Sequence, residues 1–231
     1  MVEQEGKLIV LDGIDGTGKG TQITFLAERL RREGSRVEIV DFPQYGSKPA
    51  GLVEMYLNGE FGTVEEVGPF VASVFFAIDR YAKSRQIKEW LGDGVIVLSN
   101  RYVAANLGHQ GGKIKDTGER QKYWEWAFEF EHELLGIPRP DKNFILHSTP
   151  EIAHELVGRK DEREYLQGKT RDIHEEDMDH LSNSHEAYIA LVKAYPDDFE
   201  IIDCAPSGSM LSPEDISQLV WERVQVLLKR P

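Results

Sequence analysis

A glycine-rich loop followed by a lysine lies near the start of the chain, at residues 13–21. Gly13 is followed, after four intervening residues, by Gly18 and Lys19, which is the spacing of a P-loop. Glycines let backbone N–H groups turn inward around phosphate oxygens where a Cβ would obstruct them, and the lysine reaches the β- and γ-phosphates. The loop therefore predicts a nucleoside-triphosphate site, whose contacts we assign to Gly13, Ile14, Asp15, Gly16, Thr17, Gly18, Lys19, Gly20 and Thr21.

Two positions set this loop apart from the full motif. Gly20 stands where the motif has Ser or Thr, whose hydroxyl ligates Mg²⁺, and Thr21 follows one place later. Because this GKGT form occurs in adenylate-kinase-like loops, we expect nucleotide binding to be retained and the metal contact to differ. Asp15 places a carboxylate beside the triphosphate, where it is repelled unless a cation or a donor from a second substrate lies between them.

Four residues farther along the chain suit a flat base and its phosphate. Phe76 and Arg80 are four apart on a predicted helix and share a face. The ring of Phe76 could stack on a base, and Arg80 could donate to a carbonyl of that base. A Phe in the core and a solvated Arg would fit the same spacing. Asn106 matches the N3–H and C4 carbonyl of a pyrimidine, with solvation in a surface loop as the alternative. Arg101, after a predicted strand, can bridge an acceptor phosphate and the transferred group.

Two loops complete the candidate site. The segment 41–46 follows the second predicted strand, and Tyr45 can donate its hydroxyl to a phosphate, although a turn with one buried aromatic also explains these residues. Residues 158–180 are highly charged and nearly devoid of apolar side chains. They suit a mobile lid whose cations close over the phosphates and stabilise a loose transition state, with a solvated loop or helix face as the alternative. The candidate lid cations are Arg159, Lys160 and Arg163.

Apolar runs alternate with helical patterns along the chain. Strands are predicted at 8–11, 37–40, 95–98, 143–147 and 200–204. A helix is predicted after the P-loop, and further helices are predicted at 52–57, 64–91, 119–135 and from 150 to about 159, with Pro69 in the first turn of the second of these. Another helix has begun by residue 184, and a last one follows Ser212. Strands separated by helices give a parallel sheet with right-handed crossovers, and ligands bind beyond the carboxyl ends of such strands. The loops 12–21, 41–46 and 99–113 therefore meet at one edge.

Composition bounds the class of protein. The 231 residues, 40% of them hydrophobic, suit a single α/β domain spanning 1–231. No apolar run approaches the roughly 20 residues of a membrane span, so we expect no membrane partner. The net charge of −13 argues against nonspecific binding to nucleic acid. A lone Cys204 forms no intrachain disulfide, which suits a reducing cytoplasm.

Six short motifs in register resemble thymidylate kinase, a P-loop nucleoside-monophosphate kinase family. They are GIDGTGK, FPQYG, FFAIDR, SNRY, PD before a strand and TPE, followed by the charged lid, and their order and spacing match along residues 7–204. The resemblance implies an α/β three-layer P-loop fold with a five-stranded parallel sheet, flanking helices and a mobile lid. It also implies a cytoplasmic homodimer that transfers the ATP γ-phosphate to dTMP with Mg²⁺, forming dTDP for dTTP biosynthesis.

The resemblance also assigns roles to residues. Phe76 stacks on thymine, Arg80 reaches its carbonyl, and Asn106 reads its edge. The substrate-binding set is Asp15, Phe42, Pro43, Tyr45, Phe76, Arg80, Arg101, Asn106, His109 and Gln110, and the catalytic set is Lys19, Arg101, Asp15, Arg159, Lys160 and Arg163. Asp15 contacts the acceptor sugar or the metal. His109 lies where the family commonly has a tyrosine close to the 2′ position, and a bulky side chain there would disfavour ribonucleotides. Gly16 stands where one family type has a P-loop arginine, so the chain resembles the lid-arginine type.

Three departures from the family pattern keep other functions open. Asn100 replaces the aspartate of the family's Asp-Arg pair, Gly20 replaces Ser or Thr, and Ala105 replaces a serine. The first two touch metal handling and leave Asp12 and Asp15 as the carboxylates near the phosphates. A kinase for another nucleotide or nucleoside, such as dUMP, is one alternative, and a nucleotide-binding protein with impaired catalysis is another. A GTPase is disfavoured because the chain has no NKxD motif.

Overall fold

Five parallel strands form one sheet in the computed structural model, which describes residues 6–157 and 178–229. The strands are β1 (Lys7–Asp12), β2 (Val37–Asp41), β3 (Ile96–Asn100), β4 (Lys142–His147) and β5 (Phe199–Asp203). Their order across the sheet is β2-β3-β1-β4-β5, and every neighbouring pair is parallel. All five predicted strands are confirmed within about one residue at most ends. Asp41 pairs with Asn100 and Leu11 pairs with the same residue from the other side, so three strands end together.

Helices cover both faces of the sheet, as the α/β pattern predicted. They are α1 (Lys19–Arg32), α2 (Gly51–Leu57), α3 (Val64–Gly92), α4 (Val103–Ala105), α5 (Thr117–Phe128), α6 (Pro150–Val157), α7 (Met178–Ala194) and α8 (Pro213–Leu228). Alternate residues of β1 point to opposite faces, so Ile9 and Leu11 pack with α1 and α8. Leu8 and Val10 pack on the other side with residues of α3, α5 and α7. None of the helices in the described parts of the chain has the length and apolarity of a membrane span.

The long helix α3 has an interruption near its start. Thr63 and Glu66 cap its first turn reciprocally, and Gly68 then leaves the helical conformation with φ 70° and ψ 166°. Pro69 begins the second part, where its missing N–H costs nothing because a first-turn N–H has no helical partner. The predicted single helix with Pro69 in its first turn is therefore a capped turn followed by a helix that starts at Pro69.

Two helices continue as wider, π-helical segments. α4 leads into the π-helical Asn106–Gln110 and a 3₁₀ turn at Gly111–Lys113, although the sequence was interpreted as a loop here. α5 leads into the π-helical Glu129–Leu134, close to the end of the predicted helix at 135. The helix predicted by 184 begins at Met178, because Met178 and Leu181 are apolar residues that pack against the core.

Candidate active site

A cavity of about 690 Å³ opens at the carboxyl ends of β1, β2 and β3. The P-loop, the loop after β2, the middle of α3 and the segment after β3 share its wall, as the loop positions predicted. Its lining consists of Asp15, Gly16, Gly18, Lys19, Gly20, Asp41, Phe42, Pro43, Tyr45, Gly46, Glu54, Leu57, Phe76, Asp79, Arg80, Asn100, Arg101, Ala105, His109 and Gln110. One cavity therefore joins a loop suited to phosphates with an aromatic and guanidinium wall suited to a base.

Lys19 begins α1, and its side chain turns back over the P-loop. Its Nζ donates to the carbonyl oxygens of Gly13 at 3.0 Å and Ile14 at 2.8 Å. Gly18, directly before it, has φ 82°, a left-handed conformation that glycine accepts readily. Because α1 starts here, its first N–H groups and the ammonium group lie at one wall of the cavity. This arrangement attracts phosphate through both the helix dipole and a full positive charge.

Gly16 is enclosed by a neighbouring helix. Its φ is 91°, and a Cβ built on it would lie 2.1 Å from the carbonyl oxygen of Ala153 in α6. A side chain at this position would therefore clash with backbone rather than with a flexible group. The missing P-loop arginine thus has a steric reason in this chain.

Arg101 connects Asp15 with His109. Its Nη2 donates to the Asp15 carboxylate, and its Nη1 lies 2.9 Å from His109 Nε2. Arg101 has φ 61°, which costs a non-glycine residue about 1–3 kcal/mol, and its N–H donates to the Leu11 carbonyl at 3.0 Å. Of the two groups that could offset the Asp15 charge, a cation or a donor from a second substrate, the protein itself supplies the cation.

The charges of this group are fixed near neutral pH. Burial alone would raise the pKa of Asp15, but Arg101 and Lys19 outweigh it and hold that pKa well below its usual range. Burial, helped by the Arg101 charge, lowers the pKa of His109 well below its ordinary value, so the ring is neutral. A neutral ring can accept the Arg101 hydrogen bond at Nε2 when its proton is on Nδ1. Asp15 and Arg101 thus present an ion pair to a ligand rather than an isolated carboxylate.

Asp12, which was expected near the phosphates together with Asp15, does not line the cavity. Its side chain is fully buried and accepts from the Gly13 N–H at 2.8 Å, the Tyr188 hydroxyl at 2.8 Å and the Tyr102 N–H at 3.2 Å. Burial raises its pKa. These bonds connect the end of β1 with α7 and with the segment after β3. Asp12 therefore stabilises the start of the P-loop from the protein interior.

The two departures that concern metal handling are neighbours. A Cβ on Gly20 would lie 4.0 Å from Asn100 Nδ2, and that atom donates to Asp41 Oδ1 at 2.9 Å. The Oδ1 of Asn100 is buried and accepts no hydrogen bond from the described residues. Asp15, Asp41 and Asn100 are all among the residues that line the cavity, and carboxylate and amide oxygens are hard donors that suit Mg²⁺. Within 6–157 and 178–229, no group of three or more His, Cys, Asp or Glu side chains is placed to hold a metal.

The base end is assembled around α3. Phe76 is half-buried and meets Tyr56 edge to face, with ring centroids 6.2 Å apart. Asp79 accepts the Gln44 N–H at 2.9 Å, which fastens the loop after β2 to α3. Burial raises the pKa of Asp79. This bond physically joins the FPQYG and FFAIDR motifs, so Phe42, Pro43 and Tyr45 share the cavity with Phe76.

Arg80 and Asn106 meet at a carboxylate that sequence reasoning missed. Arg80 pairs with Glu131 through two hydrogen bonds of 2.6 Å, and Asn106 Nδ2 donates to Glu131 Oε1 at 2.8 Å. All three side chains are buried, so the alternatives of a solvated Arg80 and a solvated Asn106 are wrong. Burial disfavours the guanidinium charge, but Glu131 more than offsets this and raises the pKa of Arg80. The sequence feature that could have indicated Glu131 is a glutamate within an aromatic-rich helix.

Most of the predicted site residues gather at the cavity. Asp15, Gly16, Gly18, Lys19, Gly20, Phe42, Pro43, Tyr45, Phe76, Arg80, Arg101, His109 and Gln110 line it, whereas Gly13, Ile14, Thr17, Thr21 and Asn106 are not part of its lining. Gly13 and Ile14 act through carbonyls bonded to Lys19, and Thr17 bonds the Ile14 carbonyl at 3.0 Å. Arg159, Lys160 and Arg163 lie outside the described residues, as does most of the predicted lid. Glu54 was missed, and it accepts the Gly46 N–H at 2.6 Å.

Comparison with known proteins places this geometry in a family. The family model for thymidylate kinase matches residues 11–213. A thymidylate kinase of Mycobacterium tuberculosis is 29% identical over 185 residues, covering 80% of this chain and 85% of the relative. One from Rhodopirellula baltica is 32% identical over 188 residues, covering 80% and 68%. The structure of thymidylate kinase from Candida albicans matches with a TM-score of 0.73 at 18% identity, covering 96% of this chain and 92% of that one.

Proposed function

Because this chain belongs to the thymidylate kinase family, we propose that it transfers the γ-phosphate of ATP to dTMP and forms dTDP for dTTP biosynthesis. Phosphorylation of dTMP to dTDP is the family function, and its members are nucleoside-monophosphate kinases. The observation that carries the proposal for this chain is the continuous cavity from Lys19 to Phe76 and Arg80. ATP occupies the P-loop end, and dTMP occupies the end formed by α3.

The chemistry needs positioning and positive charge more than a general base. The acceptor phosphate is already ionised near pH 7, so it can attack the γ-phosphorus in line without losing a proton to the protein. Lys19 and Arg101 supply positive charge where charge develops on the transferred group. The ion pair with Asp15 orients the Arg101 guanidinium. His109, the other side chain bonded to Arg101, is neutral and so does not attract the phosphate away from it. Arg159, Lys160 and Arg163 add charge from the lid in this proposal.

Mg²⁺ fits the wall beside the P-loop. This ion keeps several waters and is usually held by one or two carboxylates together with substrate phosphates, so a cage of protein ligands is not required. Asp15, Asp41 and the unsatisfied Oδ1 of Asn100 would hold it or its waters. When bound with ATP, the ion would neutralise charge on the β- and γ-phosphates. Gly20 leaves open the space that a Ser or Thr side chain fills in the full motif.

We also propose that the enzyme is a cytoplasmic homodimer of single-domain protomers. Val71, Ile78 and Tyr81 are exposed apolar side chains spaced so that they share one stripe of α3. A second copy of the stripe would cover them. The free, buried Cys204 suits the reducing cytoplasm. Sedimentation tests the assembly, and a mass of one chain, 26.3 kDa, would contradict it.

A coupled assay of ADP release across possible acceptors tests the reaction. We expect turnover with dTMP, weaker turnover with dUMP, and none with thymidine, because the nucleoside lacks the attacking phosphate. A clear preference for dUMP or for a nucleoside would mean that this compound, and not dTMP, is the acceptor. ATP binding without transfer to any acceptor would instead support a nucleotide-binding protein with impaired catalysis, for which Asn100 and Gly20 are the motivating residues.

A further inference from the structure

We propose that Glu131 is a positioning residue that determines which pyrimidine edge the acceptor site reads. The proposal rests on the proposed function, because it concerns the base of the acceptor nucleotide. Glu131 is 0% exposed and touches both candidate base-reading side chains, Arg80 and Asn106. It is outside the family motifs along the sequence and does not line the cavity, so it acts through its two partners.

The first consequence concerns the guanidinium. Glu131 Oε2 accepts from Arg80 Nε and Oε1 from Nη2, each at 2.6 Å, which is the bidentate geometry of an arginine–carboxylate pair. Arg80 is 1% exposed and lines the cavity. The pair therefore holds the guanidinium plane in one orientation. The N–H groups that Glu131 does not use, both on Nη1 and one on Nη2, remain for a carbonyl of the base.

The second consequence concerns the amide. Asn106 Nδ2 donates to Glu131 Oε1 at 2.8 Å and to the Ser73 carbonyl at 3.2 Å. Both partners offer only acceptor atoms, so they fix which end of the amide is nitrogen. Asn106 does not itself line the cavity, but Glu131 links it directly to Arg80, which does. Its Oδ1 accepts no hydrogen bond from the described residues and is the atom left for a base that reaches past Arg80. An acceptor at this position matches the N3–H of thymine or uracil and repels the N3 lone pair of cytosine.

The surroundings hold this arrangement in place. The Tyr123 hydroxyl lies 2.7 Å from Ser73 Oγ and donates to the Asn106 carbonyl at 3.1 Å. Asn106 begins one π-helical segment and Glu131 lies within the other, Glu129–Leu134, and such segments are often found at functional sites. A carboxylate at 131 thus sets the donor at Arg80 and the acceptor at Asn106 together. This is the pattern that distinguishes a 4-oxo pyrimidine from a 4-amino pyrimidine.

Glu131→Gln tests the proposal, because its new amide NH₂ can donate to Asn106 and let that side chain turn over. We expect the ratio of kcat/KM for dTMP to that for dCMP to fall about tenfold or more, with the KM for ATP unchanged. Glu133→Gln is the matched control, since Glu133 is exposed and pairs with Arg139 at 2.8 Å. The control should leave the ratio at the wild-type value.

A purely structural role for Glu131 predicts a different result. It would lower the Tm and the turnover of dTMP and dCMP together, and an unchanged ratio in folded Glu131→Gln overturns the proposal. If that variant does not fold, Glu131→Asp keeps the charge for Arg80 while withdrawing the carboxylate from Asn106. The same fall in the ratio is expected, and an unchanged ratio overturns the proposal. A wild-type protein that does not phosphorylate dTMP would instead overturn the proposed function.

Discussion

The two ends of the cavity are built in opposite ways. At the phosphate end, Lys19 donates to the carbonyls of Gly13 and Ile14, which lie six and five positions away. At the base end, Glu131 joins Arg80, 51 positions away, with Asn106, 25 positions away. The P-loop part of the phosphate end is therefore local backbone geometry, to which Arg101 is added from 86 positions away. The base end depends entirely on helices brought together by the core. A local site can be recognised from a motif, and an assembled one needs the fold.

The largest effect should follow from removing the charge at the local end. We expect Lys19→Ala to lower kcat/KM at least about a hundredfold, because the ammonium stabilises charge on the transferred group. The fold should survive, since the lost bonds go to two loop carbonyls. Steady-state kinetics and a thermal melt measure the two properties. Lys122→Ala, at an exposed lysine of α5, is the control, and near-normal turnover in Lys19→Ala would contradict the assignment.

A smaller and more selective effect is expected at the assembled end. Phe76→Ala removes the half-buried ring proposed to stack on thymine, and stacking contributes about 1–3 kcal/mol per base. The KM for dTMP should rise about tenfold while the KM for ATP stays constant. Phe61→Ala is the control, because Phe61 is an exposed aromatic outside the cavity wall. A change confined to ATP affinity would mean that the two ends have been assigned the wrong way round.

The same contrast explains how much the sequence could predict. Strand positions, the parallel sheet and the P-loop follow from short-range patterns, and these predictions are confirmed. The interruption at Gly68, the π-helical segment at Asn106 and the burial of Arg80 depend on tertiary packing. Glu131 was missed because a glutamate is normally solvated, and its burial becomes favourable only where Arg80 and Asn106 are placed to donate to it. The functional roles of the individual site residues stay predictions.

Gly16→Ala tests the backbone contact that shapes the local end. The new Cβ would lie 2.1 Å from the Ala153 carbonyl at a positive φ, so we expect the free energy of unfolding to fall by about 2 kcal/mol or more. Gly34→Ala is the control, because Gly34 has φ 90° but nothing within 4 Å of its built Cβ. Urea denaturation should show the smaller loss for Gly34→Ala. Equal losses of unfolding free energy in the two variants would mean that the close approach of α6 to residue 16 adds nothing to the cost of the substitution.

The last effect is confined to stability and its pH dependence, and it separates the two ends. Asp15 and His109 have pKa values well below their usual ranges, so the phosphate end keeps its charges around neutral pH. At the base end, Lys113 donates to Gln110 at 2.6 Å and Tyr56 at 2.8 Å, and burial lowers its pKa to about 7.

The sign of that pH effect follows from proton binding. Between pH 7 and the ordinary lysine pKa of 10.5, the unfolded chain holds the Lys113 proton and the folded chain has released it. The free energy of unfolding therefore rises with pH in this window, by up to about 1.4 kcal/mol per pH unit. Lys113→Met should abolish that rise in urea denaturation at pH 7, 8 and 9, whereas Lys115→Met, at an exposed lysine, should keep it. Equal slopes in the two variants would mean that Lys113 stays protonated, and the base end would then be as insensitive to pH as the phosphate end.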